Sequence, residues 1–351
     1  MNAARRFLWT SPVSATVAVL LVLVCASGAS AQRRARRAAP SVSPGVVAEL
    51  APYAPTSPPG DPRYLFTLTL RTTTWPDAEV IADRRLLRFE VSDPNSSRAR
   101  PLTCSHPDAP RFRANPPRAR VVGGMNAAQS YREWIDLRMY CTGRALDRAE
   151  RGGRIVASYG FARAAKKVWV ARMRPTTGDA PSVPRLTAGE LTLSPRPVSD
   201  PSGPPADVSV ALAPTSRRTE EGLVLAVGVR SPSGPHMVYL RHDYVRFRIR
   251  GPLGAVECGI PPTPLAPIVD LFRPVSPRTA TSIRVDARQA CRGSFPIAGV
   301  YEVAPVVSLP WAFPGNPSRA VTGEFVGEPG AVRITAGGRG YVEHIPEGDT
   351  P

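Results

Sequence analysis

Asp136-Leu137-Arg138-Met139-Tyr140-Cys141-Thr142-Gly143 recurs 150 residues later as Asp286-Ala287-Arg288-Gln289-Ala290-Cys291-Arg292-Gly293. Both copies read D-x-R-x-x-C-x-G without a gap. A long-period repeat decides how the rest of the chain divides, so it comes before any other assignment. Working outward, further landmarks fall in the same order in both halves. Leu50-Ala51-Pro52 matches Leu212-Ala213-Pro214, and Leu70-Arg71 matches Val229-Arg230. Arg88-Phe89-Glu90-Val91 matches Arg246-Phe247-Arg248-Ile249, Cys104 matches Cys258, and Gly189-Glu190-Leu191 matches Gly323-Glu324-Phe325. The offset shrinks steadily along the chain, from 162 to 134. Loop deletions in a second copy produce that trend, whereas chance matches scatter. The units are placed at residues 45–194 and 207–346. Each is long enough for its own core, and the period is too long for a solenoid.

Inside the units the hydrophobic period is two. Leu87, Phe89 and Val91 alternate with Arg88 and Glu90, and Val245, Phe247 and Ile249 alternate with Arg246 and Arg248. Phe66, Leu68 and Leu70 alternate with Thr67 and Thr69. Each pattern predicts a half-buried strand with polar residues outward. Ile135-Asp136-Leu137 and Ile283-Arg284-Val285 lead into the second cysteine of each unit in the same manner. Forty-one prolines argue against long helices, and one helix of a turn or two is expected near Asp147–Glu150. Short strands separated by Gly and Pro turn signals predict an all-β chain of two tandem β-sandwiches.

Ahead of the first unit, Arg5-Arg6, the apolar run Val13–Val24 and Ala29-Ser30-Ala31 form a secretory signal, residues 1–31, with cleavage before Gln32. The apolar run is too short for a good membrane span, so no transmembrane segment is expected in the mature chain. Residues 32–44, with the basic block Arg33–Arg37, are expected to be a solvated linker. A second, proline-rich linker is placed at 195–206. After signal removal four cysteines remain. They allow three pairings, and the repeat selects Cys104–Cys141 and Cys258–Cys291, because each unit holds one equivalent pair. Disulfides imply an oxidising compartment: secreted, periplasmic or cell-envelope.

A cysteine after an early strand, another after a later one, and then an aliphatic strand such as Gly299-Val300-Tyr301-Glu302-Val303 make each unit resemble an immunoglobulin-like domain. The units differ from antibody-type domains in their tryptophans. None lies between Cys258 and Cys291, and Trp134 sits beside the second cysteine of its pair. The resemblance implies the sandwich fold and no particular activity.

The chain carries +17, of which Arg5 and Arg6 leave with the signal. Lysine accounts for only two basic residues, Lys166 and Lys167, a bias expected of a GC-rich genome. Arg246, Arg248 and Arg250 would still form an outward row on one strand, able to meet an anionic polymer such as an acidic glycan or lipopolysaccharide. No DNA- or RNA-binding motif accompanies them. G-x-S-x-G and H-E-x-x-H are absent, and the four histidines are scattered. The Asp136/Arg138 and Asp286/Arg288 pairs are expected to be structural ion pairs. No cofactor or metal is expected. The sequence therefore points to a non-catalytic secreted or cell-envelope protein that binds a protein or an anionic polymer. The alternative is an extracellular protease inhibitor, or an enzyme, working through a long loop such as Cys104–Gly124 or Pro261–Pro277. That alternative leans on the immunoglobulin-like fold of some bacterial inhibitors.

Overall fold

The computed structural model describes residues 45–344 except 54–59, 74–77, 97, 111–118, 124–129, 163–167, 175–181, 195–207, 214–222, 317–318 and 336–339. The signal, the basic linker and the proline-rich linker lie outside these residues. The described chain is mostly strand, every named ladder is antiparallel, and the described residues pack as one compact unit.

The first repeat contains β1 (Val46–Pro52), β2 (Leu65–Thr72), β3 (Ala78–Ile81), β4 (Leu87–Val91), β5 (Leu102–Ser105), β6 (Ala119–Val122) and β7 (Tyr131–Asp136), then α1 (Arg144–Glu150), β8 (Ile155–Gly160), β9 (Ala171–Met173), β10 (Ser182–Val183) and β11 (Arg185–Leu191). The second contains β12 (Ser209–Ala213), β13 (Val224–Arg230), β14 (His236–Tyr239), β15 (Val245–Gly251), β16 (Gly254–Gly259), β17 (Phe272–Val275) and β18 (Thr281–Asp286). There follow α2 (Ala287–Ala290), β19 (Gly299–Leu309), β20 (Gly323–Val326), β21 (Gly330–Ile334) and β22 (Gly340–His344). The sheets β1-β2-β7, β10-β9-β3-β6 and β11-β8-β4-β5 have the counterparts β12-β13-β18, β14-β17 and β16-β15-β19-β21-β22, with β20 also beside β19. Each repeat thus folds sandwich-like sheets around a core of its own. Among the described residues no named ladder joins a strand of one repeat to a strand of the other.

Register bears on the repeat residue by residue. Leu50 pairs with Leu68 and Leu212 with Val227, while Leu65 pairs with Asp136 and Val224 with Asp286. Phe89 pairs with Cys104, and Phe247 with Cys258. Five landmarks are therefore structurally equivalent. The sixth is not: Gly189 lies opposite Ala157, and its counterpart is Gly327, whose N–H donates to Pro305 O at 2.8 Å. Gly327 is fixed by crowding, since a Cβ there would stand 2.4 Å from the Val210 carbonyl oxygen.

The positions shared by the two copies of the opening motif have physical tasks. Asp136 caps a 3-10 turn, Leu137–Met139, accepting from the Arg138 N–H at 2.9 Å. Cys141 bonds Cys104 and Cys291 bonds Cys258, with Cα separations of 4.9 and 5.1 Å. Gly143 and Gly293 take φ of +49° and +81°, a backbone region that favours glycine. Arg138 therefore stands on a turn, where it forms the ion pair with Asp136 that was expected.

The repeats diverge after this motif. Ile155 and Val303 are equivalent, facing Val91 and Ile249 in register. Before Ile155 the first repeat has α1, packed on β4 and β5. In the second repeat, β19 instead begins at Gly299 and pairs with β21 over Gly299–Val303. This extra strand segment packs against the first repeat: Val300 and Ala331 belong to the first core. The strand extension, which the first repeat lacks, thus becomes the junction between the two.

Candidate functional site

A cleft of about 300 Å³ opens at that junction. Its polar wall is Arg84, Arg85, His106, Asp108, Glu133, Trp134 and Tyr140 from the first repeat, and its apolar wall is Pro252 and Ile297–Val300 from the second. The turn bearing Arg84 and Arg85 (Arg84–Leu86) is held from below. The buried Tyr159 hydroxyl accepts from the Asp83 N–H at 3.0 Å and donates to the Ile81 carbonyl, and Tyr140 Oη donates to Arg84 O at 2.8 Å. Trp134 and Glu133 project from β7. Trp134 stacks on Tyr53 at 6.4 Å, and the Arg84 guanidinium lies 5.7 Å from its ring centre.

The charges of the polar wall are paired. Arg84 Nε lies 3.3 Å from Glu133 Oε1, and Arg85 Nη2 lies 2.7 Å from Asp83 Oδ2. Asp-x-Arg is the recurring device. Asp61/Arg63, Asp83/Arg85 and Asp136/Arg138 all cap a 3-10 turn through the aspartate and fork the arginine back onto the same carboxylate. The first two copies share the spacing of the opening motif, so the sequence carried the signal, though only the third was singled out there. Behind the cleft, Arg138 also reaches Glu302 Oε1 at 2.9 Å and lies 4.6 Å over the Tyr64 ring.

His106 is 7 % exposed, and its Nδ1 accepts from the Asp108 N–H at 3.0 Å. Burial, followed by the Asp108 carboxylate acting in the opposite sense and then by Arg84 and Arg85, brings its pKa down to about 4. The ring is neutral at pH 7, and with Nδ1 accepting, the proton sits on Nε2. The unfolded chain, at an ordinary pKa near 6.5, takes up the proton first. His106 therefore contributes stability that is complete above that value and is lost as pH falls toward 4. The expected loss between pH 7 and pH 5 is about 2 kcal/mol. Urea unfolding of wild type and His106→Gln at both pH values tests this. Equal pH slopes in the two proteins would refute it.

The arginine row stands where alternation put it: Val245, Phe247 and Ile249 are buried while Arg246, Arg248 and Arg250 face out. It is not an open basic track, however. Arg246 pairs with Glu257 at 2.6 Å and with Glu324, and Arg248 pairs with Glu257 at 3.1 Å and Glu324 at 3.8 Å. Arg250 lies in register with Glu302. Removing the acids should therefore strengthen polyanion binding. Glu257→Gln with Glu324→Gln should elute from heparin at higher salt than wild type, at a stability cost within about 1 kcal/mol. Unchanged elution would show that the row does not meet the polymer.

Trp134, His106, Glu133 and Ile297 were not found from sequence: they come from separate segments with no motif between them. Among the described residues no three His, Cys, Asp or Glu side chains gather as a metal-binding group, and no helix is long and apolar enough to cross a membrane. The sequence matches no family model and no curated protein.

Proposed function

We propose that this is a non-catalytic binding protein of the cell exterior, built of two immunoglobulin-like sandwiches at 45–194 and 207–346, and that its partner is a protein. One observation carries this reading. Among the described residues eight large aliphatic side chains are exposed, and five of them, Leu253, Val256, Leu265, Ile268 and Val269, fall within 17 residues of the second repeat. So many exposed apolar side chains within one short stretch of chain favour a protein partner. Beside them β16 is the open edge of its sheet, able to accept an added strand. Among the described residues of the first repeat no such group appears, and Leu102, the counterpart of Val256, packs against the core there. The anionic-polymer reading loses support because Glu257 and Glu324 pair with Arg246 and Arg248, two of the three arginines of the row. The two disulfides are compatible with an extracellular location.

A photo-crosslinking residue placed at Leu253, Val256 or Leu265 should capture one protein from the native extracellular fraction, and Val256→Asp should abolish that capture. Equal capture from position 121, an exposed valine of the first repeat, would refute the reading.

The inhibitor alternative keeps one supporting observation. The loop after β16 lies within the Cys258–Cys291 link, starts at Thr263 N–H bonded to Asp243 Oδ2 at 2.8 Å, and presents Leu265 half exposed. Slow cleavage at Leu265 with tight inhibition of a secreted endopeptidase, lost in Leu265→Asp, would establish it.

A further inference from the structure

The cleft between the repeats is a second site, separate from the apolar flank of the second repeat. Its size sits at the low end of small-ligand sites, enough for one compact ligand or the end of a longer one. Three features limit the chemistry. First, the charged groups lining the cleft are already engaged: Arg84 pairs with Glu133, Arg85 with Asp83 and Asp136 with Arg138, while the Asp108 carboxylate acts on Arg85 and His106. A ligand with a full charge would have to displace one of these partners. A hydroxyl would not, because it can donate to the Glu133 carboxylate while accepting from the Arg84 guanidinium 3.3 Å away. Glu133 also accepts from the Tyr131 hydroxyl, but each carboxylate oxygen has a second lone-pair direction. Second, His106 offers a neutral N–H donor in place of a cation. Third, the opposite wall of Pro252, Ile297, Ala298, Gly299 and Val300 has no polar side chain, and Ile297 is 44 % exposed. The cleft is thus hydroxyl-binding on one side and C–H-binding on the other.

We propose that the cleft between the repeats binds a neutral saccharide unit, with its hydroxyls on the Arg84–Glu133 pair and its ring face against Ile297 and Pro252. A sugar ring has both surfaces, polar at its rim and apolar across its C–H face. Both repeats contribute, so neither forms the site alone.

The test uses the full mature chain. Neutral tri- and tetrasaccharides of glucose, galactose, mannose and N-acetylglucosamine are titrated in calorimetry and tryptophan fluorescence, with Trp134 as the internal reporter. A glucuronate disaccharide and the dipeptide Gly-Leu represent the anionic and zwitterionic classes. At least one neutral saccharide should bind saturably. Glu133→Gln should weaken it about 10-fold or more, as loss of a charged hydrogen bond implies. Ile297→Trp, a change at an exposed position, should fill the cleft and abolish binding without altering the melting temperature. Leu265→Asp, on the flank assigned to the protein partner, should leave saccharide affinity unchanged. The inference is overturned if no neutral saccharide binds up to 10 mM, if only the charged probes bind, or if binding survives Ile297→Trp.

Discussion

Arg138→Met is expected to destabilise the protein by about 3–5 kcal/mol. The side chain is 6 % exposed and makes three kinds of contact. Its Nε and Nη2 grip Asp136 at 3.0 and 2.7 Å, its Nη1 donates to Glu302 at 2.9 Å, and its plane covers the Tyr64 ring. Burial alone would push its pKa down, but Asp136 and Glu302 hold it above the ordinary value, so it stays charged throughout the working range. Removing it leaves two acids facing each other with reduced access to water. One of them, Glu302, also accepts the Asp61 N–H at 2.6 Å, so the turn at Pro62–Tyr64 should loosen as well. Even the backbone is shaped to this group: a Cβ on Gly60 would stand 2.9 Å from Arg138 Nη2. Because Glu302 belongs to the strand extension of the second repeat, the variant should also split unfolding into two transitions, one for each repeat. Denaturant unfolding followed by calorimetry would show this. Adding Asp136→Asn and Glu302→Gln to Arg138→Met should recover much of the loss, since the cost lies in the unpaired charges. A loss under 1 kcal/mol for the single variant would mean that the cluster is hydrated and the junction rests on apolar packing alone.

The strands of the fold were legible where burial alternates with period two. Leu87–Val91 and Val245–Ile249 are strands with the predicted face inward, because a half-buried strand must separate its two sides. The disulfides were legible because the repeat made the cysteines equivalent. The sixth landmark slipped because glycine recurs in that region for an unrelated reason. Gly323 sits in β20, while the true counterpart of Gly189 is the crowded Gly327. The pairing of Arg246 and Arg248 was hidden in cross-strand neighbours: Glu257 faces Arg248 across the β15–β16 hairpin, and Glu324 arrives from the sequence-distant β20. The cleft was hidden more deeply. Its walls come from residues 84–85, 106–108, 133–140, 252 and 297–300, and its chemistry is that of ion pairs whose charges cancel. Such a site leaves no local motif. It exists because one repeat kept a helix where the other grew a strand.

Removing either disulfide should cost about 4 kcal/mol, with closed loops of 37 and 33 residues giving nearly equal unfolded-state constraints. The two links should nevertheless differ in how they fail. Cys104 and Cys141 are both buried, and β5 is covered by α1. Cys258 is only half-buried, on the edge strand β16. Dithiothreitol should therefore reduce Cys258–Cys291 first. Its loss frees an edge whose only ladder partner among the described strands is β15, with α2 packed beside it, so hydrogen exchange should rise over Gly254–Gly259 before any other strand. If β16 carries the protein partner, Cys258→Ala with Cys291→Ala should weaken that complex while leaving the junction cleft unchanged. Cys104→Ala with Cys141→Ala should instead disturb the first core beneath Phe89 and Tyr140, whose rings meet edge to face at 5.3 Å. That core carries the polar wall of the cleft. Both pairs together should remove about 8 kcal/mol, comparable with the whole stability of an ordinary domain, and the fully reduced chain should be largely unfolded at 37 °C. Earlier reduction of Cys104–Cys141, measured by alkylation and peptide mapping, would show that burial does not govern access here and would remove the basis for treating β16 as the labile edge.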